Sequence, residues 1–368
     1  MRLSASSWAA RLTALALVMT LAASLEVAPR PSAVAAQASG VLLSIPIGED
    51  GVGMNAAAEE QPAWGPSAMA VDSEGTIWIA DAVYDRIVGY SRTGVRTHLI
   101  DLRGRAVGIG DIDILGSQIV VLDYSAERVI VVGRDSGEVQ AEHDLPGAFG
   151  LGAGLSGVAF GPNGDILLEF AGGTSTALLA DALAGRLNIR AGRPIPDGLF
   201  AVSDRPDADR VRSSAHVQAG SLAIDIAVDH RLGGIYLAAE RPGSLDLIVD
   251  EASQEVDGTV RVDRTVRRFD RNGRQVAIGR VPLSERAAYV PNGIAALPSG
   301  EVLALMPRPD RVDIISIPML SSVAPVLPSG FRAPGLRAVD ATRSQPGTLY
   351  EEGPVSRSGL NRSDRVLG

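Results

Sequence analysis

The chain has 368 residues, a formal net charge of -9, and 46% hydrophobic but only 4% aromatic residues. This length allows one or two domains with a mainly aliphatic core, and the acidic balance argues against nucleic acid or an anionic membrane as a partner. Cysteine and lysine are both absent, which excludes disulfides, thiolate metal sites, Schiff-base chemistry and the lysine of a phosphate-binding loop.

The first segment of the chain predicts an export signal. Arg2 and Arg11 supply positive charge around an apolar stretch, Leu12 to Leu25, that is too short to span a bilayer. Small residues ending at Ala36 then offer a cleavage site. We predict a signal peptide over residues 1–36, a secreted or cell-envelope location and no transmembrane segment after the signal; an uncleaved anchor is the alternative.

The stretch from Gly65 to Gly94 predicts three short strands separated by turns, and a fourth strand follows it. Four antiparallel strands in roughly 40 residues are typical of one blade of a β-propeller. An aliphatic anchor of the second strand recurs along the chain, at Ile77, Ile119, Ile166, Ile235, Val302 and Leu349. These copies predict an all-β, six-bladed propeller.

A second marker recurs with the strands. An acid followed by an arginine opens the third strand of three copies, at Asp85-Arg86, Glu127-Arg128 and Asp310-Arg311. In the first two copies an aspartate, Asp81 or Asp123, stands five residues before the arginine. We interpret these residues as structural, because acids and arginines at strand ends can tie neighbouring loops by charge-assisted hydrogen bonds.

The first copy resembles an NHL repeat at many positions. The matching residues are Pro66, Ala70, Val71, Asp72, Gly75, Ile77, Ile79, Ala80, Asp81, Arg86 and Ile87. The copy from Pro291 to Leu305 keeps a glycine at Gly293 but lacks the aspartates. The resemblance implies a β-propeller with a recognition surface, and it implies no particular reaction.

The two ends of the chain predict how the ring closes. Ser363 to Gly368 (SDRVLG) repeats the pattern of Tyr84 to Gly89 (YDRIVG), so residues 337–368 are predicted to be a sixth copy that lacks its outer strand. The apolar segment from Gly40 to Gly48 is predicted to supply that strand, which would complete the last blade and remove its exposed edge. A single propeller domain is therefore predicted over residues 37–368.

Two of the intervals between anchors are long and predict insertions. Residues 174–220 include a candidate short helix and a segment rich in proline, glycine and aspartate. Residues 240–266 are predicted to form an extended hairpin with an acidic tip. Such insertions either surround a binding face or are passive decoration.

Two aromatic residues are candidate binding residues. Trp64 and Tyr84 are predicted in loops beside the first blade, where aromatic side chains can anchor a partner. Trp78, on the second strand, is instead predicted to lie between blades.

Three polar residues are candidate metal ligands. Asp111, Asp225 and Asn292 are each predicted near the start of an innermost strand, where their oxygens could hold calcium or another divalent cation. The set loosely resembles the metal site of the gluconolactonase (regucalcin-like) propellers, which use the asparagine of P-N-G. Trp64 stands where that family has the glutamate of its E-G-P motif. The aspartate of its P-D-G motif, here Asp197, precedes the asparagine instead of following it. The alternative is that these groups are solvated or bonded to turn amides.

The leading functional hypothesis is an exported binding module that recognises a protein, a carbohydrate or another small molecule. It follows from repeats that explain the fold and from a shortage of reactive side chains. A divalent-metal-dependent lactonase or related hydrolase at the mouth of the central channel is the alternative. A purely structural envelope component is a third hypothesis.

Overall fold

The computed structural model describes residues 40–58, 61–147, 154–186, 188–205, 213–255, 257–283 and 286–322. These residues form six small antiparallel sheets arranged in a ring, which confirms the predicted six-bladed β-propeller. The predicted signal peptide and the predicted copy at residues 337–368 lie outside the described residues. Within these ranges, no helix combines the length and the apolar character needed to cross a bilayer.

The first three blades follow the chain in order, each from its innermost to its outermost strand. Blade 1 consists of β2 (Ala68–Val71), β3 (Ile77–Asp81), β4 (Arg86–Tyr90) and β5 (Arg96–Asp101). Blade 2 consists of β6 (Ile109–Leu115), β7 (Gln118–Asp123), β8 (Arg128–Gly133) and β9 (Val139–Asp144). Blade 3 consists of β10 (Leu155–Phe160), β11 (Ile166–Phe170), β12 (Ser175–Leu178), the helix α1 (Leu179–Leu183) and β13 (Arg190–Ala191).

The remaining blades complete the ring. Blade 4 consists of β14 (Arg193–Ile195), β15 (Gly198–Arg205), β16 (Ser214–Ala219) and β17 (Leu222–Ala227). Blade 5 consists of β18 (Arg231–Arg241), β19 (Ser244–Gln254), β20 (Val260–Asp270), β21 (Gln275–Val281) and the added edge strand β25 (Leu320–Ser321). Blade 6 consists of β22 (Ile294–Ala296), β23 (Val302–Pro307), β24 (Arg311–Ile317) and β1 (Gly40–Pro46).

The central strands of a blade are buried because neighbouring blades cover both of their faces. Every residue of β3 and β4 is buried, whereas β9, an outer strand, alternates between partly buried and exposed residues. Such continuous burial explains why central strands read as unbroken aliphatic runs and outer strands as alternating ones. Trp78 lies in the apolar cluster shared by blades 1 and 2, as predicted.

The segment 174–220, predicted as an insertion, holds most of a blade instead. It contains the last strands of blade 3 and then β14, β15 and β16 of blade 4. The second strand of this blade begins Gly198-Leu-Phe-Ala, without the repeat pattern or the acid–arginine marker, so spacing alone did not reveal it. The hairpin expected within 240–266 corresponds to β19 and β20 of blade 5.

The N-terminal strand β1 is the outer strand of the last blade, as predicted. It pairs antiparallel with β24, with Gly40 opposite Ser316. The prediction that β1 pairs with a strand near Ser363 to Gly368 was wrong, because β1 pairs with β24. Blade 4, which the repeat pattern did not reveal, brings the number of blades to six without that copy. Each of the six blades therefore has its four strands within residues 40–317, and β25 adds a fifth strand to blade 5.

The acid–arginine marker forms the predicted tie in blade 1. Arg86 is paired through Nε to Asp81 at 2.8 Å, and both side chains are buried. Its remaining nitrogens donate to the carbonyl oxygens of Glu49 at 2.8 Å and Gly51 at 3.0 Å. Arg86 thus fastens the loop that follows β1 to the first blade, across the closure of the ring.

The same marker is used differently in blade 2. Asp123 accepts hydrogen bonds from the amides of Val107 at 3.0 Å and Ala126 at 3.1 Å. Arg128 pairs instead with Asp144, at 3.0 Å. The repeated aspartate is therefore a buried acceptor that organises a turn in both blades, whereas its pairing with the repeated arginine occurs in blade 1.

Candidate functional site

One end of the central channel collects most of the candidate residues. Here the innermost strands begin, and here the second strand of each blade turns into the third. We call this end of the ring the mouth face. At the corresponding turn of blades 1, 2 and 3 the backbone is left-handed at Asp85, Glu127 and Ala171, with φ of 47°, 51° and 50°.

Both predicted aromatic anchors lie on the mouth face of blade 1. Trp64 precedes β2 and is 40% exposed. Tyr84 lies in the turn between β3 and β4 and is half-buried, with the guanidinium carbon of Arg86 4.6 Å from its ring centroid. The Trp64 side chain is therefore partly exposed, whereas the Tyr84 ring is partly occupied by a cation–π contact within the blade.

The structure brings two of the three predicted metal ligands to the innermost strands. Asp111 lies on β6 and is buried, and Asn292 lies just before β22. The predicted position of Asp225 was wrong: it lies on β17, the outer strand of blade 4, where its carboxylate is 2.9 Å from Nδ1 of His216. Because blade 4 was not predicted, its outer strand β17 was assigned to the innermost position of the following blade.

Asp111 and Asn292 both reach blade 3. The carboxylate of Asp111 accepts a hydrogen bond from the amide of Val158 at 3.0 Å. The side-chain amide of Asn292 donates to the carbonyl oxygen of Ser156, at 3.5 Å. Calcium takes about six to eight oxygen ligands, and among the described residues no group of three or more acidic or histidine side chains is arranged for a metal. The predicted calcium set does not fit this geometry.

Buried acids line the channel wall formed by blades 2 and 3. Burial, reinforced by the charge of Glu169, raises the pKa of Asp111 well above its usual value. Burial also raises the pKa of Asp113, although the positive charge of Arg193 opposes this shift. Arg193, on the innermost strand of blade 4, lies 2.9 Å from Glu169 and partly neutralises the acids. This wall accepts hydrogen bonds and disfavours further negative charge.

Two tyrosine rings lie against glycine backbones at the channel. A Cβ atom on Gly110 would lie 1.9 Å from the ring of Tyr124, and one on Gly172 would lie 2.3 Å from the ring of Tyr236. Tyr124 donates a hydrogen bond to the carbonyl of Ser156, and burial, then the charge of Asp111, raises its pKa. The glycines therefore provide the space that these rings occupy, because any larger residue would clash with them.

Blades 5 and 6 contribute a basic side to the mouth face. Arg264, on β20, makes two hydrogen bonds of 2.7 Å to the carboxylate of Asp250. Arg286, in the connection between β21 and β22, lies near enough to Arg264 for the two positive charges to repel. Tyr289, 55% exposed, interacts electrostatically with Arg264 and with Tyr124. The exposed tyrosine thus lies between the basic side and the acidic wall.

Neither the arginines of the basic side nor Tyr124, Tyr236 and Tyr289 were predicted from the sequence as site residues. Tyr124 carried a usable signal, since it directly follows the repeated Asp123 in a turn that the repeat places on the mouth face. Arg286 and Tyr289 carried none, because they lie in a connection between blades that has no repeat pattern.

No family model matches the chain, and no curated protein matches it. Among solved structures, this chain is similar to a Bacteroides fragilis protein that is described as exported. The two are 8% identical over 78% of this chain and 97% of that one, with a TM-score of 0.43. It is also similar to glutaminyl cyclase of Myxococcus xanthus, with 13% identity over 77% and 97% of the chains and a TM-score of 0.40.

A third similar structure is virginiamycin B lyase of Staphylococcus aureus, with 16% identity over 68% of this chain and 94% of that one and a TM-score of 0.38. At these identities and scores, the similarities carry no argument about a ligand or a reaction. The pairing of its strands identifies the protein as a six-bladed β-propeller, and its likeness to NHL repeats rests on the sequence.

Proposed function

We propose that the protein is an exported, NHL-like β-propeller that binds a small molecule or a protein segment at its mouth face. The observation that carries the proposal is the gathering of tyrosines and buried, pKa-shifted acids and arginines at one end of the channel. Buried ionisable groups cost stability unless something compensates them, and they concentrate at functional sites for this reason. Export is supported by the predicted signal peptide at residues 1–36.

The two sides of the mouth face suit a ligand with groups of different character. The acids of blades 2 and 3 accept hydrogen bonds, and the arginines of blades 5 and 6 donate them. Tyr124, Tyr236 and Tyr289 add ring faces and hydroxyl groups between the two sides, which is the mixture of apolar surface and few placed polar groups typical of ligand sites.

The proposal can be tested by thermal-shift screening of the full-length protein. The probes are free amino acids, short peptides, monosaccharides and oligosaccharides, and small organic acids and phosphates. We expect at least one class to raise the Tm of the wild type and the rise to be lost in Tyr289→Ala. The control is Leu99→Ala, which also removes an exposed side chain, 49% exposed, but on the outer strand of blade 1.

Two outcomes would contradict the proposal. If a probe stabilises Tyr289→Ala as much as the wild type, it binds elsewhere on the molecule. If no probe class raises the Tm of the wild type, the mouth face binds no ligand of these classes. A rise in Tm with Ca²⁺ that disappears in Asp111→Asn would instead favour the metal-dependent hydrolase.

A further inference from the structure

Arg286 differs from two other partly buried arginines, Arg241 and Arg261 of blade 5, in what it contacts. Its Nε lies 3.3 Å from the thioether sulfur of Met306, a weak acceptor. Its Nη2 is buried and has no hydrogen-bond partner among the residues that the structure describes. Arg241 and Arg261 also have an unbonded nitrogen, but each pairs with a carboxylate, whereas Arg286 has no such partner among the described residues.

The nearest carboxylate on this side of the mouth face is already used. Asp250 receives two parallel hydrogen bonds from Arg264 and so neutralises that guanidinium group. Burial, together with the positive charge of Arg264, lowers the pKa of Arg286 to about 10. Among the described residues, the pair of arginines has a single aspartate, which leaves one positive charge without a carboxylate partner at the edge of the channel.

This arrangement is costly for folding alone. A buried charge without a partner, and a buried donor without an acceptor, each destabilise the folded protein. The planar guanidinium group, with its fork of donors, is suited to binding the oxygens of a carboxylate or a phosphate. An oxyanion beside Arg286 would supply both the missing charge and the missing acceptor.

We propose that Arg286, supported by Arg264 and the hydroxyl group of Tyr289, is an anion-recognition site, and that the ligand of the mouth face carries a carboxylate or phosphate group. This inference rests on the proposed function and narrows it. Arg264 supports the site indirectly, because its Nε and Nη2 engage the carboxylate of Asp250, which therefore does not pair with Arg286. Tyr289 is exposed and adds a hydroxyl donor that can reach the solvent-facing side of the site.

The test is a titration of the full-length protein with inorganic phosphate and, separately, with succinate, at constant ionic strength maintained with NaCl. Binding is followed by calorimetry and by thermal shift in the wild type, Arg286→Met and Arg286→Lys. The control is Arg274→Met, which removes the same charge from an exposed turn between β20 and β21, at the opposite end of the ring.

We expect at least one anion to bind the wild type and Arg274→Met equally and to bind Arg286→Met at least tenfold more weakly. Arg286→Lys should lie between them, because lysine keeps the charge but loses the forked donors. Without anion, Arg286→Met should have an unchanged or higher Tm, because it removes an unpaired buried charge. An arginine with a purely structural role would give the opposite change in Tm.

The response also identifies the chemistry of the ligand. Preference for succinate indicates a carboxylate ligand, and preference for phosphate indicates a phosphorylated one. Equal binding to the wild type and Arg286→Met, or no binding beyond the effect of NaCl, would overturn the inference. If Tyr289-dependent binding of neutral probes persists in that case, the proposed function stands and only the anionic class is wrong.

Discussion

Blades 1 and 4 reach the same four-stranded form by different means. In blade 1, buried polar residues of the repeat bind one another: the indole Nε1 of Trp78 donates to Asp72 at 2.9 Å, and Arg86 pairs with Asp81. Blade 4 lacks these residues and packs against blade 5 through an apolar cluster that contains Phe200. The polar residues make a blade recognisable in the sequence, and apolar packing is sufficient to make one.

The largest loss of stability is expected when the arginine of blade 1 is removed. Arg86→Ala leaves the buried Asp81 without its partner and frees the loop after β1. We expect a loss of about 3–5 kcal/mol in the free energy of unfolding, as is typical when one member of a buried pair is removed. Urea denaturation followed by circular dichroism measures it.

The control for this change is Arg92→Ala. Arg92 also joins blades 1 and 6, through Glu301 at 2.7 Å, but its side chain is 49% exposed. Such a surface pair contributes less than about 1 kcal/mol. Equal losses in the two variants would show that the buried pair has no special role at the closure.

A smaller effect is expected from Trp78→Phe. The phenyl ring keeps most of the apolar contact, but the hydrogen bond to the buried Asp72 is lost, so we expect a cost of about 1–3 kcal/mol. Tyr90→Phe in the same blade is the matched change, because it removes a buried hydroxyl that has no hydrogen-bond partner in the described part of the chain. That variant should be as stable as the wild type or more stable. A cost for Tyr90→Phe as large as that for Trp78→Phe would contradict the importance of the Asp72 bond.

The smallest effect is expected in blade 4. Phe200→Leu exchanges one buried apolar side chain for another without breaking a polar contact, and such exchanges usually cost less than about 1.5 kcal/mol. The same urea experiment measures the change. A loss greater than that of Arg86→Ala would show that blade 4 depends on one specific shape, and the contrast between the two blades would disappear.

Much of the architecture was predictable from the sequence. The spacing of Ile77, Ile119 and Ile166 identified the first three blades, and the apolar segment after Gly40 identified the closing strand. Blade 4 was not predictable, because its innermost strand is only three residues long and its second strand lacks the repeat residues. Because blade 4 was not predicted, Asp225 was assigned to the wrong strand and β1 to the wrong partner.

The candidate site was predictable only in part. The start of an innermost strand correctly placed Asp111 and Asn292 at the channel, because that position follows from the repeat. Tyr289 approaches Tyr124 from a different blade, far away in the chain. Arg286 is closer in the chain to Arg264, but it lies in the connection after blade 5, which has no repeat pattern. Spacing within one blade carries no information about contacts across a channel.

The pairing of β1 with β24 has a consequence for biosynthesis. Gly40 leaves the ribosome about 275 residues before its partner Ser316, so the first strand of the propeller remains without its sheet while the other strands are made. Until β24 has been made, β1 has an unpaired edge, a surface prone to aggregation. A nascent chain therefore depends on late docking of its earliest strand, and chaperone protection of β1 should be needed until β24 has been made.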